Sequence, residues 1–386
     1  MAATLRDVIG LLEQMYDPSR ADDWDAVGLV CGDPDEPVGR ILFAVDPVRS
    51  VVAEAAEWGA DLVVVHHPLF LKPVHSVAAG SPKGRVVQDL IRGGRGLYCA
   101  HTNADAPAYG VNESLARALG VENLEVIVPD AGDPLDKLVT FVPHEHAEML
   151  RAAITEAGAG QIGDYDACTF TLEGEGRFRP LDGASPAIGR VGEVEVVAES
   201  RVESVFSRAK RAAVIAAMRS VHPYEEPAYD VFELADVRGT GAAARGSGRI
   251  GTLPEPMTLR AFADQVAAAL PATAHGVRVA GSPDRTISTV AVTSGAGDFL
   301  LDTVLLTDAD VYVTSDLRHH RASEFLEHDG SPALVDIAHW AAEWTWLPVV
   351  SERLVQGLAE RGDTVEARVS TTPTDPWTFR VDHATT

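Results

Sequence analysis

The run Asp61-Leu-Val-Val-Val65 is apolar at four successive positions and ends in His66-His67-Pro68. A strand with no polar face cannot lie against water, so it must be covered on both sides. The same character returns in Arg40–Asp46 and Gly96–Ala100, while Ser50–Trp58 and Gly84–Arg92 between them read as helices. A further helix begins at Asn112 and runs to Leu119, where Gly120 stops it, and Met1–Tyr16 reads as an amphipathic helix. Buried strands alternating with helices predict an α/β domain with a central, mostly parallel sheet.

The pattern changes in the middle of the 386-residue chain. Strands at Lys137–Val142, Ala167–Leu172, Glu193–Val197 and Tyr229–Leu234 surround helices at His144–Ala157 and Arg208–Ser220. That order, βαββαβ, is the ferredoxin-like pattern and can stand as a small α+β domain. The Gly- and Ala-rich stretch Arg238-Gly-Thr-Gly-Ala-Ala-Ala-Arg-Gly-Ser-Gly248 follows it and reads as a flexible linker. Beyond it, helix and strand alternate again, in Leu259–Leu270, Thr289–Thr293, Val311–Thr314, Leu317–His328 and Ala333–Asp336. The expected organisation is an α/β domain split into segments 1–131 and 251–386, with an insert at 132–238 and a linker at 239–250.

Charge narrows the partners. With 32 Lys+Arg against 57 Asp+Glu, the net charge is −25, which disfavours nucleic-acid backbones and anionic membranes. No apolar run reaches the length of a membrane span and no signal-peptide pattern opens the chain. The three cysteines, Cys31, Cys99 and Cys168, are isolated and lack CxxC spacing, which fits a reducing compartment and offers no thiolate cage. The expected location is the cytoplasm.

The chemistry concentrates at strand ends, where α/β sheets open onto their ligand crevice. His66 and His67 follow one apolar strand, and Asp105 follows the next in Ala100-His-Thr-Asn-Ala-Asp105. His339 and Glu343 follow the strand Ala333–Asp336, four residues apart and so on one helical face. Successive residues on a strand point to opposite faces, but at a strand end turned by Pro68 two neighbouring imidazoles can serve two adjacent ions. Three imidazoles and two carboxylates without thiolate suit Zn, Fe, Mn or Co. Bridging carboxylates would hold two such ions roughly 3.5–4 Å apart, as in hydrolytic two-metal sites.

The chain resembles the dinuclear-metal-centre, hexameric family of GTP cyclohydrolase 1 type 2 homologues, in its longer form with an inserted domain. The resemblance rests on Asp23-Trp-Asp-Ala-Val-Gly-Leu-Val-Cys-Gly-Asp-Pro34, Val65-His-His-Pro68, His101-Thr-Asn-Ala-Asp105 and Gly110-Val-Asn112. It continues in Ala309-Asp-Val-Tyr-Val-Thr-Ser-Asp316, His319-His320 and Asp336-Ile-Ala-His-Trp-Ala-Ala-Glu343, with His222-Pro-Tyr-Glu-Glu-Pro-Ala-Tyr-Asp230 in the insert. It implies two divalent ions per subunit at His66, His67, Asp105, His339 and Glu343, with His101 a further ligand or a supporting partner. It also implies a homohexamer, a trimer of dimers or a dimer of trimers, with its metal sites facing an internal cavity. Ala26 stands where the family pattern has Asn, and Ser294-Gly-Ala-Gly-Asp298 is an altered Gly-rich loop.

Other features take plainer readings. Ser294–Gly297 is expected to be a tight strand-to-helix turn rather than a phosphate cradle, and His222–Glu226 a structural loop rather than a second ligand site. His319 and His320 are expected to be solvated, and Trp340, Trp344 and Trp346 to belong to core and interface. The functional expectation is a metal-dependent hydrolase acting on a nucleotide or related small molecule, the reaction of GTP cyclohydrolase being implied by resemblance alone. Glu343, His101 and His320 are the candidates for proton transfer. The alternative is a non-catalytic metal-binding or regulatory hexamer. A nuclease or phosphoesterase would need phosphate-binding cations, for which Lys72, Arg318 and Arg321 are the candidates.

Overall fold

The computed structural model describes residues 3–130, 134–163, 165–235 and 245–381. It divides into two compact units, one built from Met1–Asp130 and Gly239–Thr386, the other from Ala131–Arg238.

The first segment of the outer unit runs α1 (Leu5–Met15), β1 (Gly28–Cys31), β2 (Arg40–Ala44), α2 (Arg49–Trp58), β3 (Leu62–Val65), α3 (Pro82–Arg92) and β4 (Gly96–Cys99). Short α4 (Thr102–Asp105), α5 (Val111–Ala118) and β5 (Glu122–Pro129) follow. Helix α1 starts where Thr4 and Asp7 form a capping box, each side chain accepting the other's backbone N–H. It buries Leu5, Val8, Leu11 and Leu12, the stripe that a 3.6-residue period lines up. Strands β3 and β4 are buried at every position, as their unbroken apolar character requires.

The insert contains β6 (Leu135–Pro143), α6 (Ala147–Glu156), β7 (Thr169–Phe178), β8 (Glu195–Ser207), α7 (Arg211–Val221) and β9 (Tyr229–Glu233). Its sheet has the order β9-β6-β8-β7, antiparallel throughout, which is the ferredoxin-like arrangement. One face packs Leu138, Val142, Val202 and Phe206 against Leu150, Ile154, Val214 and Met218 of the two helices. Strand β8 runs ten residues past the expected end at Val197. Its charged residues Arg201 and Glu203 alternate with buried Val202 and Ser204, a half-buried pattern that a search for apolar runs passes over.

The second outer segment runs β10 (Gly246–Thr258), α8 (Leu259–Ala269), β11 (Val277–Ala280), β12 (Thr286–Ala296), β13 (Val311–Ser315), α9 (His319–Leu326) and β14 (Ala333–Ile337). It closes with α10 (His339–Trp344), α11 (Trp346–Glu360) and β15 (Glu366–Val369). The α/β class is as expected, but the single central sheet is replaced by two. One has the order β15-β2-β3-β4-β1 and is parallel except at β4–β1. The other has the order β11-β14-β13-β12-β10-β5 and is parallel only at β12–β13 and β13–β14. Each sheet takes a strand from the other chain segment, β15 in one and β5 in the other, so the two segments fold as one body.

Two local expectations are corrected. Residues 239–244 of the expected linker lie outside the described residues, whereas Gly246–Ile250 are strand, paired to β5 from Gly246 on and to β12 as well at Arg249 and Ile250. Ser294, Gly295 and Ala296, expected in a tight strand-to-helix turn, are instead the end of β12. Trp340 and Trp346 are buried, and the Trp346 indole N–H donates to the Tyr16 hydroxyl, in keeping with a core role. Among the described residues, no helix is long and apolar enough to cross a membrane.

Candidate metal centre

Three strands of the outer unit, β3, β4 and β14, deliver their C-terminal ends to one place. Strand β3 releases His66 and His67, whose backbone N–H groups both donate to the Val45 carbonyl just past β2. The strand is already turning there, which is why adjacent imidazoles end up side by side, their ring centres 5.2 Å apart. Strand β4 leads to His101 and, one helical turn on, to Asp105. Strand β14 leads into α10, which carries His339 on its first residue and Glu343 four residues later.

Each imidazole is tied at Nδ1. His66 Nδ1 lies 3.0 Å from the Ala100 carbonyl, His67 Nδ1 2.7 Å from Asp46, His101 Nδ1 2.8 Å from Asp25 and His339 Nδ1 2.7 Å from Asp316. With Nδ1 held as the protonated nitrogen, Nε2 is left as the free electron pair, the arrangement that orients histidine ligands. Around buried Glu343, Nε2 of His66 and of His339 lie 3.4 and 2.8 Å from Oε1, and Nε2 of His67 lies 3.0 Å from Oε2. Asp105 Oδ1 is 3.7 Å from His66 Nε2.

The donor atoms fall into two groups that share His67: His66, His67 and His101, and His67, His339 and Glu343. Within each group the donor atoms lie within 4.8 Å of one another. Asp105 Oδ1 and Glu343 Oε2 are buried with no hydrogen-bond partner, although an imidazole stands close to each. A buried carboxylate oxygen without a donor is costly, and a cation between it and the imidazoles removes that cost. The residues therefore fit metal.

The electrostatics agree. Burial pushes the Asp105 carboxyl up, partly opposed by His66 and His101. Burial also works against ionised Glu343, but the charges of His67, His339 and His66 outweigh it and hold Glu343 well below the usual carboxylate range. Burial would lower His67 and His339, yet Glu343 overrides it, helped by Asp46 at His67 and by Asp316 at His339. The two imidazoles are raised to about 11 and about 10. Protons thus do the neutralising that a divalent cation would otherwise do.

All five residues expected as ligands meet here, and His101 joins them through the first group. His320 does not: it stands exposed on α9 beside His319, in neither group among the described residues. Arg318 and Arg321 pair with Asp298 and Asp302.

The sequence reading missed Asp25, Asp46 and Asp316, the three carboxylates behind the imidazoles. Asp25 also accepts from the Thr102 hydroxyl and backbone N–H. Burial pushes its carboxyl up, but the bonds from His101 and Thr102 prevail and hold it far below the usual range. Asp316 occupies left-handed backbone at φ 56°, which Asp tolerates better than most residues. The available signal was positional, since Asp46 and Asp316 each lie one or two residues past a strand end.

Two further residues frame the centre. Asn112 donates to the Asp105 carbonyl and accepts from the Ser294 N–H, joining the Asp105 turn to β12. Gly295, at φ 68°, brings bare backbone against the cluster.

Residues 3–376 match the model of the Duf34/NIF3 (NGG1p interacting factor 3) family. A Mycobacterium tuberculosis protein named GTP cyclohydrolase 1 type 2 homolog is 50% identical over 387 residues, covering 100% of this chain and 99% of its own. A Bacillus subtilis protein of the same name is 39% identical over 377 residues, covering 97% and 98%. Among solved structures, a Bacillus cereus protein related to NIF3 aligns with a TM-score of 0.71 at 36% identity, covering 98% of this chain and 100% of that one. A Staphylococcus aureus protein aligns with a TM-score of 0.81 at 28% identity, covering 98% and 99%.

Proposed function

The chain belongs to the Duf34/NIF3 family, and we propose that its centre holds two divalent cations and hydrolyses a nucleotide or related small molecule. One observation carries this reading: His66, His67 and His339, each tied outward through Nδ1, turn Nε2 toward Glu343, His66 also stands near Asp105, His101 groups with His66 and His67, and both carboxylates keep a buried oxygen without a hydrogen-bond partner. The ions would be held by two groups, one of His66, His67 and His101 and the other of His67, His339 and Glu343, with Asp105 beside them; His67, with one free nitrogen, would serve only one of the two. Zn, Fe, Mn and Co all accept such a donor set. When bound, the ions supply Lewis acidity and make water a competent nucleophile near neutral pH.

The chain's own groups do the rest. A cavity of about 240 Å³ opens beside His67 and His339, walled by Asp316, Trp340, Thr374 and Trp377. It gives a small substrate access to one side of the cluster. The relatives' name points to GTP as the first substrate to try.

A non-catalytic metal-holding role is the second reading, and one observation favours it. Asp25, Asp46 and Asp316 are each occupied by an imidazole, while Asp105 and Glu343 face the metal positions, so none of these five is left as an independent base. Metal analysis together with anomalous diffraction tests the centre itself; fewer than two ions at these residues ends the dinuclear reading. Turnover of GTP and other nucleotides by reconstituted protein, beside Asp105→Ala, separates the two roles. A homohexamer is part of the same proposal, and light scattering on the eluting protein tests it.

A further inference from the structure

Beyond β15, the hydroxyl residues Ser370, Thr372 and Thr374 recur at every second position, with exposed Thr371 and Pro373 between them. In extended chain that spacing turns three hydroxyls to one side, and all three are used. The Ser370 N–H donates to the Phe43 carbonyl, and the Trp344 indole N–H donates to the Ser370 carbonyl. The Ser370 and Thr372 hydroxyls both donate to Glu54 Oε2 on α2, at 2.6 and 2.7 Å. The Thr374 hydroxyl donates to Oδ2 of Asp46, just past β2. Residues 370–377 are thus a strap fastened at three points, and the last fastening is the carboxylate behind His67.

Asp46 therefore has both oxygens engaged, Oδ1 by His67 Nδ1 and Oδ2 by Thr374. The terminal torsion of an Asp side chain is soft, so a carboxylate held at one oxygen alone can swing. Held at both, it presents a fixed acceptor to Nδ1–H and so fixes where His67 Nε2 points. Asp25, behind His101, is braced differently. It accepts from the Ala26 and Thr102 N–H groups and from the Thr102 hydroxyl, all on residues next to it or to His101. Asp46 is braced from 328 residues away, by a segment that also walls the cavity beside His67 and His339.

We infer that Thr374 is a positioning residue of the centre: it locks the Asp46 carboxylate, Asp46 orients His67, and the strap is thereby coupled to the ion that His67 holds. The inference rests on the metal reading above and extends it to the strap that carries Asp375 and Trp377 to the cavity wall. Coupling of this kind is reciprocal. An ion at His67 must tighten the strap by the same factor that the fastened strap tightens the ion.

The test measures zinc affinity of the full-length protein by competition against a chromophoric chelator. Thr374→Val keeps the shape and removes the hydroxyl, and it should weaken zinc about tenfold, the scale of a lost ligand support. Thr374→Ser keeps the hydroxyl and should stay within about threefold of the parent. Thr372→Val, on the same strap but bonded to Glu54, should also stay within about threefold, which separates the Asp46 bond from general order of the strap. Hydrogen exchange on the parent should show residues 371–377 protected roughly tenfold more with zinc than without. That measurement needs no variant, so it decides the matter even where Thr374→Val folds poorly. Unchanged zinc affinity in folded Thr374→Val, an equal loss in Thr372→Val, no rescue by Thr374→Ser, or strap exchange that ignores zinc overturns the inference and leaves the centre standing. A parent that takes up no zinc at His67 overturns the inference and the metal reading together.

Discussion

A β-carbon at Gly295 would stand 3.0 Å from Oε1 of Glu343 and 3.4 Å from Nε2 of His339. The end of β12 therefore reaches the centre as bare backbone, and its left-handed φ of 68° disfavours any side chain there. Gly295→Ala is expected to displace Glu343 or His339 and weaken metal binding at least tenfold, the scale seen when the supports of metal ligands are lost. Competition against a chromophoric chelator measures it, and an unchanged affinity would show that the backbone approach is incidental.

Metal uptake should release protons. Above its unfolded value near 6.5, each raised imidazole still carries a proton at neutral pH in the metal-free protein, His67 up to about 11 and His339 up to about 10. A cation must displace those protons, so apparent affinity should climb as pH rises from 6 to 9, by roughly tenfold per pH unit for each proton released. Calorimetry in buffers of different ionisation enthalpy counts them. Uptake with no buffer dependence would mean that the imidazoles are already neutral.

Which parts of this centre were legible in the sequence follows from what each residue does locally. His66, His67, Asp105, His339 and Glu343 directly follow apolar strands or share one helical face, so spacing alone brings them together. Asp25, Asp46 and Asp316 act through contacts made only once separate strand ends meet, and a lone Asp after a strand ordinarily reads as a helix cap. The strand β5 was invisible for a related reason. Glu122, Asn123 and Glu125 make its first half polar, and the three apolar residues Val126–Val128 that follow are only partly buried and stop at Pro129, too short a run to mark a strand.

The insert has its own acid-sensitive point. Arg211 donates to buried Asp136 and, despite burial, holds its carboxyl below the usual range, with Arg208 adding to the effect. A depressed folded value means stabilisation that is present above the unfolded value, about pH 4, and is lost as pH falls through the folded one. Asp136→Asn should lower the thermal midpoint at pH 7 by roughly 3 °C, the guanidinium ends being partly screened by solvent, and the gap should close in acid. Scanning calorimetry at several pH values decides it; a gap that persists at low pH would point to packing instead of charge.

Arg249 makes the strongest structural demand. Its buried guanidinium donates to the carbonyls of Gly246, Gly248, Ala106 and Pro107, so it clamps the start of β10 to the turn directly after Asp105. Burial lowers its pKa, with Glu113 and Asp130 opposing that effect from nearby, yet a guanidinium stays charged under any ordinary condition. Arg249→Met would leave several buried carbonyls without donors and should cost roughly 3 kcal/mol in chemical denaturation. Arg249→Lys should recover little, because one ammonium cannot reproduce the planar fork that reaches carbonyls on two chain segments. If Asp105 depends on this clamp for its position, both variants should also lose metal affinity under conditions where they remain folded. Full stability loss with unchanged affinity would instead assign Arg249 to the fold alone.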